Sequence, residues 1–228
     1  MFQVASDWNP KQARLKETVL KQEKFDEAIE LCLNLHSIVH CAGITQEKTA
    51  SFLDEIWSGL TEEAFITMPT VKDVTIAWNI WHITRIEDMT ANILIQEDNQ
   101  VMNDKWLSRL NVDVRDTGNA MTDGEIISFS RDIDMSALRE YRNAVGRKTK
   151  SILNTLSPSD MKRKVKRENL ERILAEGGVT EHKDSIWLLD FWGRKNIAGL
   201  LLMPVTRHQI LHLSDSMKLK KKIMSEVE

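Results

Sequence analysis

Two histidines, His208 and His212, stand four residues apart in the stretch TRHQILHLSD, residues 206–215. On a helix that spacing is one turn, so both imidazoles project from the same face. Such a pair is a good bidentate set for Zn²⁺, Ni²⁺ or another divalent transition ion; two ordinary helical histidines have the same spacing. A zinc protease needs a glutamate directly after the first histidine as general base. Gln209 occupies that position, which excludes the chemistry. The best third ligand is His82, in AWNIWHITRIED among Trp78, Ile80, Trp81 and Ile83. A histidine in so apolar a helix must satisfy its ring nitrogens, either through a metal or through hydrogen bonds in the core.

The remaining histidines carry weaker signals. His36 and His40 share a helix face with Cys32. Each is a candidate additional ligand, a proton carrier or a substrate contact, and each also reads as a polar residue near a helix end. His182, in TEHKDS, is expected at the surface. Arg85 and Arg207 flank the proposed ligands and are the candidate catalytic residues, since a guanidinium near a metal can clamp a carboxylate or phosphate. Pairing with Glu87, Asp88 or Asp215 is the purely structural alternative. Asp215, three residues after His212, is the candidate outer partner of a ligand ring. Trp78, Trp81, Trp187 and Trp192 are expected in the core, some of them walling the pocket.

These residues must be positioned by helices. The chain has 228 residues, 42% apolar and 29% charged, with only nine glycines and four prolines, which suits one domain over residues 1–228 with long helices and few tight turns. The stretch 9–43 reads as one continuous helix, with Asn9 as cap and Pro10 in its first turn. One shorter helix is expected over 45–60, ending near Gly59, with 61–70 as a connector and Thr70 capping a second long helix that runs to residue 96. Residues 97–124 form a long polar connection of the kind that is often functional. A third long helix over 125–156 carries a break at 132–134. Ser157 and Pro158 open another, closed by Gly177 and Gly178. The last stretch is largely helical, and Pro204 must start, kink or divide it. No internal repeat and no convincing hairpin is present.

Net charge is −3 with both signs interspersed, and MKRKVKR and MKLKKKIM read as solvated helix faces, so no nucleic-acid partner is expected. No run of apolar residues is long enough for a membrane span, and no leader pattern opens the chain. Cys32 and Cys41, nine residues apart on the expected helix, would lie about 13 Å apart and stay free, which suits a reducing cytoplasm.

TIAWNIWHITRIEDMTANILI, followed more than a hundred residues later by MPVTRHQILHLSDSMKLK, resembles the DinB-like superfamily. That superfamily includes damage-inducible DinB proteins and bacterial thiol-dependent transferases. Its pattern is one histidine on the second bundle helix and H-x-x-x-H on the last. The resemblance implies an all-α antiparallel four-helix bundle with short accessory helices, and a divalent metal, Zn or Ni, held by His82, His208 and His212. Three imidazoles leave the other coordination positions to water or substrate, the arrangement of a catalytic site. The implied function is a metal-dependent transferase that uses a low-molecular-weight thiol of the bacillithiol or mycothiol type as co-substrate on a small electrophile. A homodimer is the expected assembly. The alternative is a non-catalytic metal-binding or stress-response protein acting through protein partners. An open coordination position reached by a cleft lined with Trp and Arg distinguishes the first; a large apolar patch distinguishes the second.

Overall fold

A computed structural model describes residues 2–45 and 47–225. Among these described residues thirteen α-helices follow in order: α1 (Asn9–Thr18), α2 (Phe25–Val39), α3 (Ala42–Thr45), α4 (Phe52–Trp57), α5 (Glu62–Ile66), α6 (Ile76–Asp88), α7 (Asp104–Leu110), α8 (Asp123–Asp132), α9 (Met135–Leu153), α10 (Arg167–Ala175), α11 (Lys183–Gly193), α12 (Ile197–Leu202) and α13 (His208–Ser225). No strand occurs among the described residues, only an isolated antiparallel bridge between Lys164 and Asn196. No helix among them is long and apolar enough to cross a membrane.

The site rests on four of these helices. α6 packs against both α9 and α13, and α2 packs against α9. α6 and α13 run antiparallel, since Gln209 reaches the carbonyl of Ile83 while His212 reaches Asn79. α6 is buried around nearly its whole circumference, as its apolar composition predicts. It starts later than expected. Thr75, not Thr70, caps it by accepting from the amide of Trp78, and Thr70 instead donates to Asp73.

Tertiary packing divides the first expected helix. α1 ends at Thr18, whose hydroxyl donates back to the carbonyls of Arg14 and Leu15. The chain turns through Val19–Lys21 and α2 packs back onto α1. Folding back lets the α2 stripe of Ala28, Cys32 and Leu35 and the Leu15 side chain of α1 all be buried, with Val19 buried in the turn. Trp8 rather than Asn9 precedes α1 at the cap position. The connector over 61–70 contains α5, capped by Thr61. Ser157 and Pro158 open no long helix. The Ser157 amide and hydroxyl bond Asp160, and α10 begins only at Arg167. The expected break near 132–134 is present, between α8 and α9. Pro204 falls in a wide, π-type segment, Met203–Arg207, immediately before His208.

Candidate metal centre

One face of α6 is fastened to the polar connection that follows it. Trp78, Trp81, His82 and Arg85 lie at helical spacings of three and four, so their donors share one side of the helix. The Trp78 ring N–H donates to the carbonyl of Gly118 (3.2 Å), Trp81 to Asp116 (3.0 Å), His82 Nδ1 to Thr117 (2.7 Å) and Arg85 Nε to Arg115 (2.8 Å). Four successive carbonyls of an irregular segment are thus satisfied by four side chains of one helix. The segment holds its shape through Asp116, which accepts from the amide of Gly118, and through Gly118 itself at φ +75°. A Cβ on Gly118 would stand 2.7 Å from the Trp78 ring nitrogen.

A carbonyl oxygen only accepts, so His82 must carry its proton on Nδ1, leaving the Nε2 lone pair free. The same logic applies to His212. Its Nδ1 donates to the side-chain oxygen of Asn79 at 2.7 Å. His82, His208 and His212 converge, each offering a ring nitrogen within 4.8 Å of the others, with ring centroids 4.6–5.1 Å apart. Trp78 stacks on His82 at 4.6 Å and walls this side of the cluster. His82 is buried, whereas His208 and His212 remain partly accessible. His208 Nδ1 has no hydrogen-bond partner among the described residues.

Burial keeps all three rings neutral. It lowers His82 to about 3, helped by the nearby charge of His212 and opposed by the Thr117 carbonyl. Burial, then His82 and His212, push His208 well below its ordinary value. Burial lowers His212 to about 4, with Asp215 opposing. Neutral imidazoles are the form that ligates a metal.

Other expected positions fall elsewhere. Arg85 is fully buried and committed: besides Arg115 it donates to Asp88 (3.1 Å), Tyr141 (2.7 Å) and Gln100 (2.7 Å). Its guanidinium is a structural fastener, not a clamp for substrate. Arg207 is exposed. Asp215 pairs with Lys218 at 2.9 Å, so the partner of the His212 ring is Asn79 instead. His182 is exposed and caps α11, accepting from the amide of Asp184. Trp81 and Trp192 are in the core, but Trp187 is half exposed, edge-on to Phe191.

His36 and His40 do not join the triad. They stack on each other, ring centroids 4.1 Å apart, and face Glu87 across the interior. Cys32 lies one turn earlier on the same face of α2, its thiol pushed to about 12 by burial and by the Glu87 charge. Burial and the Asp54 charge raise the Cys41 thiol as well, and both cysteines are free. Cys41 lies beyond the end of α2, outside the helix expected to hold both.

A cleft of about 1080 Å³ is lined by residues of α7, α8 and the connection between them, including Arg115, Asp116 and Met121. None of the three histidines lines it. It flanks the outer side of the segment whose inner side holds His82.

An all-helical chain in which one histidine of a long helix meets an H-x-x-x-H pair on the last helix defines a class of helical proteins with a three-histidine constellation at a helix–helix seam. The sequence model of the DinB superfamily matches residues 46–215, well over half of the chain, and the chain belongs to that superfamily. The matched span contains His82, His208 and His212 but begins after His36 and His40. Among curated proteins, none matches the chain.

Proposed function

We propose that the chain is a metal-dependent DinB-type protein, with α2, α6, α9 and α13 as its antiparallel four-helix bundle and His82, His208 and His212 as ligands of one divalent transition ion, Zn²⁺ or Ni²⁺. One observation carries the reading. Two of the three rings are tied at Nδ1 to oxygen acceptors, Thr117 and Asn79, which turns both Nε2 lone pairs inward. Metal-ligating histidines are oriented in this way by their outer partners. A pair of ordinary histidines has no need for two separate anchors that leave the inward nitrogens without donors.

The ion would supply Lewis acidity, lowering the pKa of a bound thiol so that a thiolate forms near neutral pH. The chain's own residues do the rest. Thr117 and Asn79 hold the rings. Trp78 excludes water from one side. Arg207, exposed and next to His208 in the chain, offers a guanidinium to a carboxylate on a low-molecular-weight thiol or on a small electrophile. Neither cysteine serves as nucleophile, because burial keeps both thiols protonated. The transferase reading is supported by family membership and by the partial accessibility of His208 and His212. It takes a small molecule as partner, in a reducing cytoplasm, with a homodimer as the working assembly.

The test uses protein purified without a polyhistidine tag. One ion bound per triad, lost in His212→Ala, is expected. Consumption of thiol with an electrophile panel should then require that ion and fall in Arg207→Ala. Stoichiometric metal without thiol consumption on any electrophile would leave the non-catalytic reading in its place.

A further inference from the structure

α6 carries two neighbouring buried carboxylates, and they are treated very differently. Asp88 accepts from Arg85 (3.1 Å), the Tyr141 hydroxyl (2.6 Å), the Asn92 amide (2.8 Å) and the backbone amides of Val101 (2.7 Å) and Met102 (2.9 Å). That is what a fully satisfied buried carboxylate looks like. Glu87, equally inaccessible, receives among the described residues only His40 Nε2, at 3.0 Å from each carboxylate oxygen. His36 Nε2 lies 3.5 Å from one of those oxygens without a hydrogen-bond geometry.

Arg142 does not make up the difference. Its nearest nitrogen is 3.9 Å from Glu87. Its donors go to the Val39 carbonyl (2.8 Å), the Gln209 side chain (2.9 Å) and the Thr84 hydroxyl (3.2 Å). Meanwhile both ring nitrogens of His36 and Nδ1 of His40 have no partner among the described residues. All three side chains are at most 1% exposed, so solvent does not satisfy them. A buried carboxylate and two imidazoles left in this condition are costly unless something else binds them.

We propose that His36, His40 and Glu87 form a second metal centre, separate from the triad and closed to solvent, for a divalent first-row ion of the Zn²⁺ type. The chemistry of the donors fits, two imidazoles and one carboxylate being a known zinc set. Spacing fits too. Ligand atoms bonded to a common ion at 2.0–2.1 Å stand roughly 3.0–3.4 Å apart; here His40 Nε2 and His36 Nε2 stand 3.0 and 3.5 Å from the same Glu87 oxygen, and the three groups offer ligand atoms within 4.8 Å of one another. The fold makes room for this arrangement at Gly146 of α9, where a Cβ would stand 2.3 Å from His40 Nδ1. The ion would link α2 to α6 in the interior, a fastening role rather than a catalytic one. The inference does not depend on the triad holding an ion.

The experiment counts Zn²⁺ in the untagged full chain after loading and removal of loose metal over a chelating resin. Two equivalents are expected in the unmodified protein and one in His212→Ala. EDTA should remove the triad's equivalent quickly and the buried one only on unfolding. Glu87→Gln should lose the slow equivalent and keep the fast one. X-ray absorption of the ion in His212→Ala should show a mixed shell of two imidazoles and carboxylate oxygen. That measurement stands even where Glu87→Gln does not fold. No ion in His212→Ala, or an all-imidazole shell there, overturns the proposal. A single equivalent in the unmodified protein that persists in His212→Ala with the mixed shell supports it and removes the triad reading instead.

Discussion

The two histidine clusters of this chain are built from the same side chain and solve opposite problems. In the triad, the outward ring nitrogens of His82 and His212 are spent on fixed oxygens, and the inward ones converge at a partly accessible seam between α6 and α13. In the interior cluster, His36 and His40 have no such anchors, and the group they face, Glu87, is short of donors. An accessible ring is free to turn toward water, so convergence there requires orientation from behind. A buried ring is held by packing, as His40 is against Gly146, and its polar atoms must find a partner within the interior. Anchoring therefore marks the open site, and unmet polar demand marks the closed one.

The largest effect should come from the residue that touches both regions. Arg142 donates to the end of α2 at Val39 and to Gln209, which in turn donates to the carbonyls of Ile83 and Pro204 beside the triad. Arg142→Ala removes these bonds and takes away the guanidinium that stands 3.9 Å from Glu87. A loss of about 3–5 kcal/mol in chemical denaturation is expected. A loss under 1 kcal/mol would show that the two clusters are energetically separate.

Triad substitutions should separate metal from fold. His208→Ala and His212→Ala should abolish the accessible equivalent of metal, read by elemental analysis, with little change in far-UV helicity. His82→Ala should do the same and add roughly 2 kcal/mol of destabilisation from the cavity in the core. Unfolding in His212→Ala would contradict the assignment of this site as an open one.

Asn79→Ala tests the anchoring directly. It touches no metal, yet affinity at the triad should fall 10- to 100-fold in competition with a chelating dye. Unchanged affinity would mean that the His212 ring needs no support from behind.

Two glycines sharpen the contrast at comparable cost, each about 1–3 kcal/mol. Gly118→Ala strains a position at φ +75° and pushes on Trp78, so it should weaken metal at the triad while leaving the interior cluster intact. Gly146→Ala pushes on His40 and should do the reverse. The smallest effect is expected from His182→Ala, which removes only an exposed cap and should leave both metal content and helicity unchanged.

Much of this was legible in the residues. The all-helical class follows from helical periodicity and the scarcity of glycine and proline. The break at 132–134 and the disruption at Pro204 follow from local chemistry that the backbone cannot ignore. The pairing of His208 with His212 follows from one turn of helix. The spacing of Trp78, Trp81, His82 and Arg85 was also present as one helical face. Its meaning was hidden, because four donors on one face do not announce that their acceptors are the backbone carbonyls of 115–118.

What sequence alone determined is therefore local: which stretches are helical, which rings share a face, and that His82 sits in apolar surroundings where its nitrogens need partners. The tertiary structure decided everything that depends on a second element. It folded residues 9–43 so that α2 packs back onto α1, which buries Leu15 and the α2 stripe where one long helix would leave them more exposed. It drew Arg85 into a buried network and gave the role expected of Asp215 to Asn79, which lies on a different helix. It set His36 and His40 against Glu87, more than forty residues further along, and away from the triad. Helical periodicity tells which way a side chain points on its own helix. Only the packing of helices tells what it meets there, because the rotation and depth at which two helices dock are set by the whole buried surface and not by any one residue on it.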